Sequence, residues 1–289
     1  MEIRKVGIIL KKGSEQPKLI CSRLQDFFEQ QKIESQIDLV TEDCDMLVIL
    51  GGDGTLLHVA DQASRMNIPV VGVNLGGLGF LTEISLEDLD DALKLILQGA
   101  APIDKRMMVK ARLITRQSQT SWHYALNDVV ISRGPVDRLV ELSTWADKEL
   151  ITTYRADGLI FSSPTGSTAY NLSAAGPIVH PLLQSITVTP ICPFMLESRP
   201  VLLPASVKIS TKLAGGCPAV QVIVDGRQIW EMSPDDMLDV RAAEYPLQLV
   251  CSPTEGYFEI LRKKLNWGGG RDTSRKDKKG AFGVINPFD

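Results

Sequence analysis

The chain has 289 residues, 44% hydrophobic and 23% charged, with a net charge of −4, a composition ordinary for a soluble globular protein of roughly two domains. No basic face is evident in the body of the chain, which argues against nucleic acid as a partner, and no apolar run approaches the roughly 18 residues of a membrane span. The five cysteines (Cys21, Cys44, Cys192, Cys217, Cys251) are scattered and never in C-x-x-C spacing, so they read as small core residues of a reduced, cytoplasmic protein.

The first ten residues carry charges and then Val6 to Leu10, a strand too short for a secretory h-region. Pro17 fits a first helical position, with Leu19, Ile20, Leu24, Phe27 and Phe28 as the helix face. A short strand is expected near Gln36 to Val40 and a buried parallel one over Met46 to Leu50. Gly51-Gly52-Asp53-Gly54-Thr55 follows, and then a helix with Leu56, Val59, Ala60 and Ala63 on one face. Strand, glycines, helix is a loop through which backbone N–H groups approach an anion closely. A carboxylate there repels phosphate, so Asp53 points to chemistry on a hydroxyl, as a general base. The alternative is a tight turn with Asp53 capping the helix. The Walker lysine, the G-x-G-x-x-G fingerprint and the protein-kinase motif set are all absent.

Ile68 to Val73 is another buried strand, followed by a second glycine-rich turn, Asn74-Leu75-Gly76-Gly77-Leu78-Gly79-Phe80-Leu81. The two loops either line one cleft at the carboxyl ends of adjacent strands or are unrelated turns. Ser85 to Asp88 reads as a capping box opening a helix through Leu97, stopped by Gly99. Alternating strands and helices imply an open, mostly parallel α/β sheet over residues 1–100, with the boundary at Ala100-Ala101-Pro102.

From Arg106 the texture changes to many short strand-like runs, among them Met108 to Thr115, Tyr124 to Ser132, Leu159 to Ser162, Ser206 to Leu213 and Leu247 to Cys251. Asp225-Gly226 is a hairpin signal. These predict an all-β, sandwich-like domain over 101–252. Glu255 to Leu265 is a closing helix or strand that returns to the first domain, over about 253–266. The Gly-rich, then basic tail 267–289 reads as disordered.

In the β-rich half, Asn127-Asp128 can read a donor–acceptor pattern on a ligand, or can be turn chemistry. The Ser-, Thr- and Gly-rich stretch from Tyr154 to Gly176 offers hydroxyls and open backbone suited to sugars and phosphates, flanked by Arg155 and Asp157. His58 lies one turn beyond Asp53; His123 and His180 read as structural. No cluster has metal-ligand spacing, so a metal would arrive as Mg²⁺ with a nucleotide triphosphate.

Together GGDGT, the Asn74 to Leu81 turn, Leu126-Asn127-Asp128-Val129-Val130, Asp157-Gly158-Leu159-Ile160 and, above all, Ser163-Pro164-Thr165-Gly166-Ser167-Thr168-Ala169-Tyr170-Asn171-Leu172-Ser173-Ala174 resemble the bacterial NAD kinase family. The similarity runs in order from residue 3 to about 265. It implies Mg-dependent transfer of the ATP γ-phosphoryl group to the 2′-hydroxyl of the adenosine ribose of NAD, giving NADP. On that resemblance Asp53 is the base, with Gly54 beside it, and Asn127 and Asp128 contact NAD. Arg155 and Asp157 lie near the nicotinamide ribose, and Thr168, Ala169, Tyr170, Asn171 and Ser173 hold the dinucleotide. His58 and Arg138 match less regular nucleotide contacts, and Arg227 stands where many members have glutamine. The family assembles as homodimers or homotetramers, with an α/β domain, an all-β domain and NAD between them. A lipid kinase sharing GGDGT and a non-catalytic NAD- or NADP-binding regulator are the competing readings.

Overall fold

The computed structural model describes residues 3–13, 15–77, 79–134, 138–195, 197–252 and 256–267. The basic tail expected to be disordered lies, from residue 268 on, outside the described residues, as do 253–255 at the start of the expected closing segment.

The first part runs β1 (Lys5–Leu10), α1 (Gln16–Gln30), β2 (Glu34–Ile37), β3 (Met46–Leu50), α2 (Asp53–Arg65), β4 (Val70–Val73), α3 (Leu89–Leu97) and β5 (Ile103–Arg106). Pro17 sits in the first turn of α1, where its missing N–H costs nothing. Strand β2 ends at Ile37, short of the expected Val40, because Asp38 adopts a left-handed φ of 53°. Its carboxylate then accepts the Leu10 N–H at 2.8 Å. Helix α3 starts a turn after the expected box: Ser85 Oγ accepts the Asp88 N–H at 3.1 Å, over a turn that precedes Leu89.

The chain continues with β6 (Val109–Ile114), β7 (His123–Ala125), β8 (Asp128–Ser132), β9 (Val140–Ala146), β10 (Glu149–Ala156) and β11 (Gly158–Ser162). A 3-10 turn at Thr165–Thr168 leads into the short α4 (Tyr170–Ser173) and β12 (Ser185–Ile191). Then come β13 (Val201–Pro204), β14 (Ile209–Leu213), β15 (Val220–Val224), β16 (Arg227–Met232), β17 (Met237–Ala242), β18 (Leu247–Val250) and α5 (Tyr257–Leu265).

Three six-stranded sheets result. The first, in the order β2-β1-β3-β4-β18-β5, is parallel except for β5. One face packs on α1 and α3 through Leu24, Phe28, Leu89 and Leu93. The other packs on α2 through Leu56, Ala60 and Ala63, against Leu249 and Met108. The run around Leu247–Val250 was expected among the β-rich strands, but it enters this sheet beside β4, with β5 returning antiparallel along it. Leu247, Leu249 and Val250 are buried, and a strand covered on both faces belongs in a parallel, helix-flanked sheet. The α/β layer is thus built from segments on both sides of the β-rich part.

The other two sheets, β10-β9-β14-β17-β6-β7 and β13-β12-β11-β8-β15-β16, are antiparallel and stack face to face. Val109, Leu113, Leu238 and Val240 from one meet Val129, Ile131, Phe161 and Val222 from the other in a single core, as in a sandwich. Cys192 is exposed, unlike the core residue expected from its type, while Cys21 and Cys44 are buried. No helix among the described residues is long and apolar enough to cross a membrane.

Candidate active site

Strand order places the site. From β1 the chain moves to β2 on one side, and from β3 to β4 on the other, so a crevice opens at the carboxyl ends of β1 and β3. The Gly51-Gly52 turn and Lys11 sit there. Gly51 has no room for a side chain: a Cβ would stand 2.5 Å from Thr55 Oγ1. Helix α2 begins at Asp53, with Gly52 as the extended cap. Asp53 therefore does not cap its own helix.

The Asp53 carboxylate instead reaches the second glycine turn. Its Oδ2 accepts the Phe80 N–H at 2.9 Å. Its Oδ1 accepts the N–H groups of Leu81 and Thr82 and the Thr82 hydroxyl, each at 3.1 Å. Asn74 closes the other end of that turn, its Oδ1 accepting the Gly76 N–H at 2.8 Å and its Nδ2 donating to the Gly77 carbonyl at 2.5 Å. Both glycine loops, with Lys11, line one cavity of about 230 Å³. The reading of two unrelated turns is set aside by this contact.

A wider cleft of about 840 Å³ runs along α2, lined by Lys11, Lys12, Gly54, Thr55, His58, Asp225 and Arg227. Asp225 and Leu57 also border a pocket of about 460 Å³ lined by Asn127, Asp128, Ala169 and Tyr170. Asp225, read from the sequence only as a turn residue, joins the two. It takes a left-handed φ of 45°, and its carboxylate accepts the N–H groups of Leu126, Asn127 and Asp128 at 2.7, 2.9 and 3.1 Å. Those three donors leave the sheet ladder, so the single strand expected over Tyr124 to Ser132 breaks into β7 in one sheet and β8 in the other.

Asp128 is buried and faces the same pocket. Burial first, and then the charge of Asp225, push its carboxyl up to about 7. Burial likewise pushes Asp225 up to about 6, against the pull of its three N–H donors. The pair titrates as a unit near neutrality. Folded values above the ordinary 3.8 mean that the folded protein keeps protons that the unfolded chain has released between about pH 4 and 7. Stability from this pair is therefore greatest below that window and falls as pH rises through it. Asp128→Asn should gain stability relative to wild type from acid to neutral pH, read as guanidinium midpoints. A difference that stays constant with pH would refute the assignment. Removing the Asp225 carboxylate itself, as in Asp225→Ala, leaves three donors bare and should cost about 1–3 kcal/mol for each one that water does not reach, with Asn127 and Asp128 freed to move.

The Ser163–Ser173 stretch is ordered by contacts with Leu126 and Asn127. Ser163 N–H donates to the Asn127 carbonyl at 2.9 Å and Ser163 Oγ to the Leu126 carbonyl at 2.5 Å. A Cβ on Gly166 would stand 2.1 Å from the Asn127 oxygen. Thr168 turns toward a small cavity beside Phe80, while Ala169 and the exposed Tyr170 face the Asp128 pocket. Asn171 is fully buried. Its Nδ2 donates to the carbonyls of Ser167 and Pro177, and its Oδ1 accepts the Thr189 hydroxyl at 2.6 Å. That side chain staples the segment together. Ser173 is exposed on α4.

Arg155 and Asp157 are not gathered here. They precede β11, whereas Ser163 follows it, and five residues of strand span about 17 Å. Arg155 pairs with Glu141 at 3.3 Å and lies over the Phe194 ring; Asp157 pairs with Arg133 at 2.8 Å. Arg138 is exposed, next to residues outside the described set. His123 and His180 stack edge-on against Trp230 and Tyr257, and His123 also lines a cleft with His58, Asp225 and Arg227. Besides Asp225, sequence reasoning missed Lys11 and the Phe80–Thr82 donors. Only the charge of Lys11 at the end of β1 signalled any of them.

A switch-point crevice between glycine loops, a fixed carboxylate at its edge and a polar pocket against a β-sandwich define a two-part nucleotide-binding enzyme. Residues 7–101 match the ATP-NAD kinase N-terminal domain and residues 126–252 the ATP-NAD kinase C-terminal domain. The chain belongs to the ATP-NAD kinase family, and is a phosphotransferase with an alcohol acceptor. It is 40% identical over 281 residues to the NAD kinase of Geobacter metallireducens, covering 92% of this chain and 99% of that one. It is 45% identical over 227 residues to that of Syntrophobacter fumaroxidans, covering 78% and 80%. In fold it resembles yeast NADH kinase complexed with NADH, with a TM-score of 0.84 at 24% identity, over 95% of this chain and 90% of that one. It also resembles an NAD kinase from Archaeoglobus fulgidus in complex with ATP, with a TM-score of 0.75 at 23% identity, over 91% and 98%.

Proposed function

We propose that this chain phosphorylates the 2′-hydroxyl of the adenosine ribose of NAD with ATP, and that Asp53 is the general base. The observation that carries the reading is the unequal use of its two oxygens. A carboxylate has about four lone-pair sites. Oδ1 serves three donors, whereas Oδ2 serves one, so Oδ2 keeps room for a hydroxyl proton. As it takes that proton, the ribose oxygen forms its bond to the γ-phosphorus. The bond from γ-phosphorus to the β–γ bridging oxygen breaks, and ADP leaves with the electron pair. Phosphoryl transfer asks for alignment and charge stabilisation above all.

The triphosphate takes the cavity between the glycine loops, with Lys11 as its cation, and Mg²⁺ enters as part of the ATP complex. The adenosine half of NAD takes the pocket of Asn127, Asp128, Ala169 and Tyr170, with Thr168 and Ser173 at its margins and Asn171 shaping the wall. Gly54 leaves the approach to Asp53 open. His58 and Arg227 border the cleft, and Arg138 adds a charge for the nucleotide. Arg155 and Asp157 serve the nicotinamide ribose. The enzyme works in the cytoplasm as a homodimer or homotetramer, with the α/β layer, completed by β5 and β18, and the β-sandwich as the two halves that close on NAD.

Purified protein incubated with Mg-ATP and NAD should form NADP, followed by a coupled NADP-dependent dehydrogenase. Binding of NAD without any NADP formed would favour the regulator reading and sink this one.

A further inference from the structure

We infer that a buried polar junction centred on Arg106 binds one water molecule and makes Arg106 a positioning residue for Asp53. Arg106, on β5, is only 3% exposed. Its guanidinium meets Glu83 at 3.4 Å and Asp104 at 3.1 Å. The other Glu83 oxygen accepts the Ser252 N–H at 3.0 Å. Glu83 directly follows Thr82, the residue that gives Asp53 both an N–H and a hydroxyl. Arg106 thus anchors, through one buried ion pair, the end of the turn that orients the carboxylate.

The far side of the same guanidinium is unfinished. Arg106 Nε, Thr165 Oγ1 and Tyr257 Oη are all buried and find no hydrogen-bond partner among the described residues. The three residues line one cavity of about 10 Å³, walled also by Phe80 and Thr168. That volume suits a single water, which needs two to four polar partners. The chemistry matches: Arg106 Nε can only donate, while the two hydroxyls can each donate or accept. A water there accepts from Nε–H and exchanges hydrogen bonds with both hydroxyls. It joins β5 of the first sheet to the Thr165–Thr168 turn of the sandwich and to α5. Phe80, on the cavity wall, is the residue whose N–H holds Asp53 Oδ2. The turn that holds the carboxylate and the turn that leads into Ala169 and Tyr170, on the wall of the dinucleotide pocket, therefore share one rigid joint.

The inference rests on Asp53 as the base, so its test separates the two. A crystal structure of the full chain should show one ordered water within hydrogen-bond distance of Arg106 Nε, Thr165 Oγ1 and Tyr257 Oη. Tyr257→Phe keeps the ring and removes one partner; it should lower kcat roughly 3- to 10-fold with little change in KM for NAD or ATP, as misplacement of a reacting group does. Arg106→Lys should lower kcat further. In an Asp53→Asn background Tyr257→Phe should add no further loss, because it acts through that carboxylate. A dry cavity overturns the water site. Unchanged kcat in Tyr257→Phe, or a full additional loss in the double variant, overturns the positioning role. If Asp53→Asn alone keeps full turnover, it is the base assignment that fails, whatever the crystal shows.

Discussion

Asp53→Asn is expected to lower the rate of NADP formation by about 10²–10⁴-fold, the usual worth of a positioned base. The substitution keeps the side-chain shape and removes the proton acceptor. Its amide oxygen can still serve the three donors that now meet Oδ1. Its NH₂ group, however, would face the Phe80 N–H that now donates to Oδ2. One buried donor then loses its acceptor, at about 1–3 kcal/mol, a stability loss small enough to leave a folded enzyme. NAD binding should change by no more than roughly a few-fold, because the lost interaction belongs to the transition state. Steady-state kinetics with a coupled assay, together with calorimetric titration of NAD, separate the two quantities. Turnover that survives in the asparagine variant would remove Asp53 from the chemistry.

Gly79→Ala should be nearly as damaging although it touches no substrate. A Cβ at this position would stand 2.2 Å from both Asp53 Oδ1 and Thr82 Oγ1, so the carboxylate or the turn must move. The backbone there has no positive φ, and the whole effect is the collision of a methyl group with the Asp53 carboxylate and the Thr82 hydroxyl. A displacement of about 1 Å at a reacting group can cost about 10²-fold in rate, and overpacking adds about 1–3 kcal/mol of lost stability. Gly215→Ala is the matched control, since a Cβ there meets nothing within 4 Å; it should leave rate and midpoint unchanged. A Gly79→Ala enzyme with wild-type kcat would show that this turn does not set the carboxylate.

The two substitutions report on the same few ångströms from opposite sides. Asp53 supplies the acceptor, and the Gly79–Thr82 turn decides where it points. Thr82 continues into Glu83, whose carboxylate is held by Arg106 and the Ser252 N–H. Rigidity at Asp53 thus comes from β5 and from the segment after β18, both far from the GGDG loop in the chain.

Legibility followed the range of the interactions. The strand, the glycines and the helix face around Asp53 are local: apolar residues every three or four positions bury the inner side of α2, and Met46–Leu50 is buried throughout. The same holds for Pro17 in α1 and for Gly99 after α3, at a positive φ of 71°. The partners of Asp53 lie 27 to 29 residues away, and nothing in the letters Phe-Leu-Thr says that they will face a carboxylate. Asp225 is the sharper case. As Asp-Gly it satisfies every local rule for a hairpin, and that local sufficiency hides the collar it forms around residues 97 to 99 positions earlier. The strand expected through Asn127 broke for the same reason.

By itself the sequence determined the glycine loops, the candidate base, the family and the two kinds of architecture, because turn chemistry and hydrophobic period act between near neighbours. Only the tertiary structure decided that β18 joins the first sheet and that Asp225 organises Asn127 and Asp128. It alone turned Asn171 inward and set Arg155 and Asp157 at the far end of β11. Each of those outcomes depends on which distant backbone donors and apolar faces are left unpaired once the local elements have formed. That is settled by packing in three dimensions, where a carboxylate can take N–H groups from a segment a hundred residues away as readily as from its own turn.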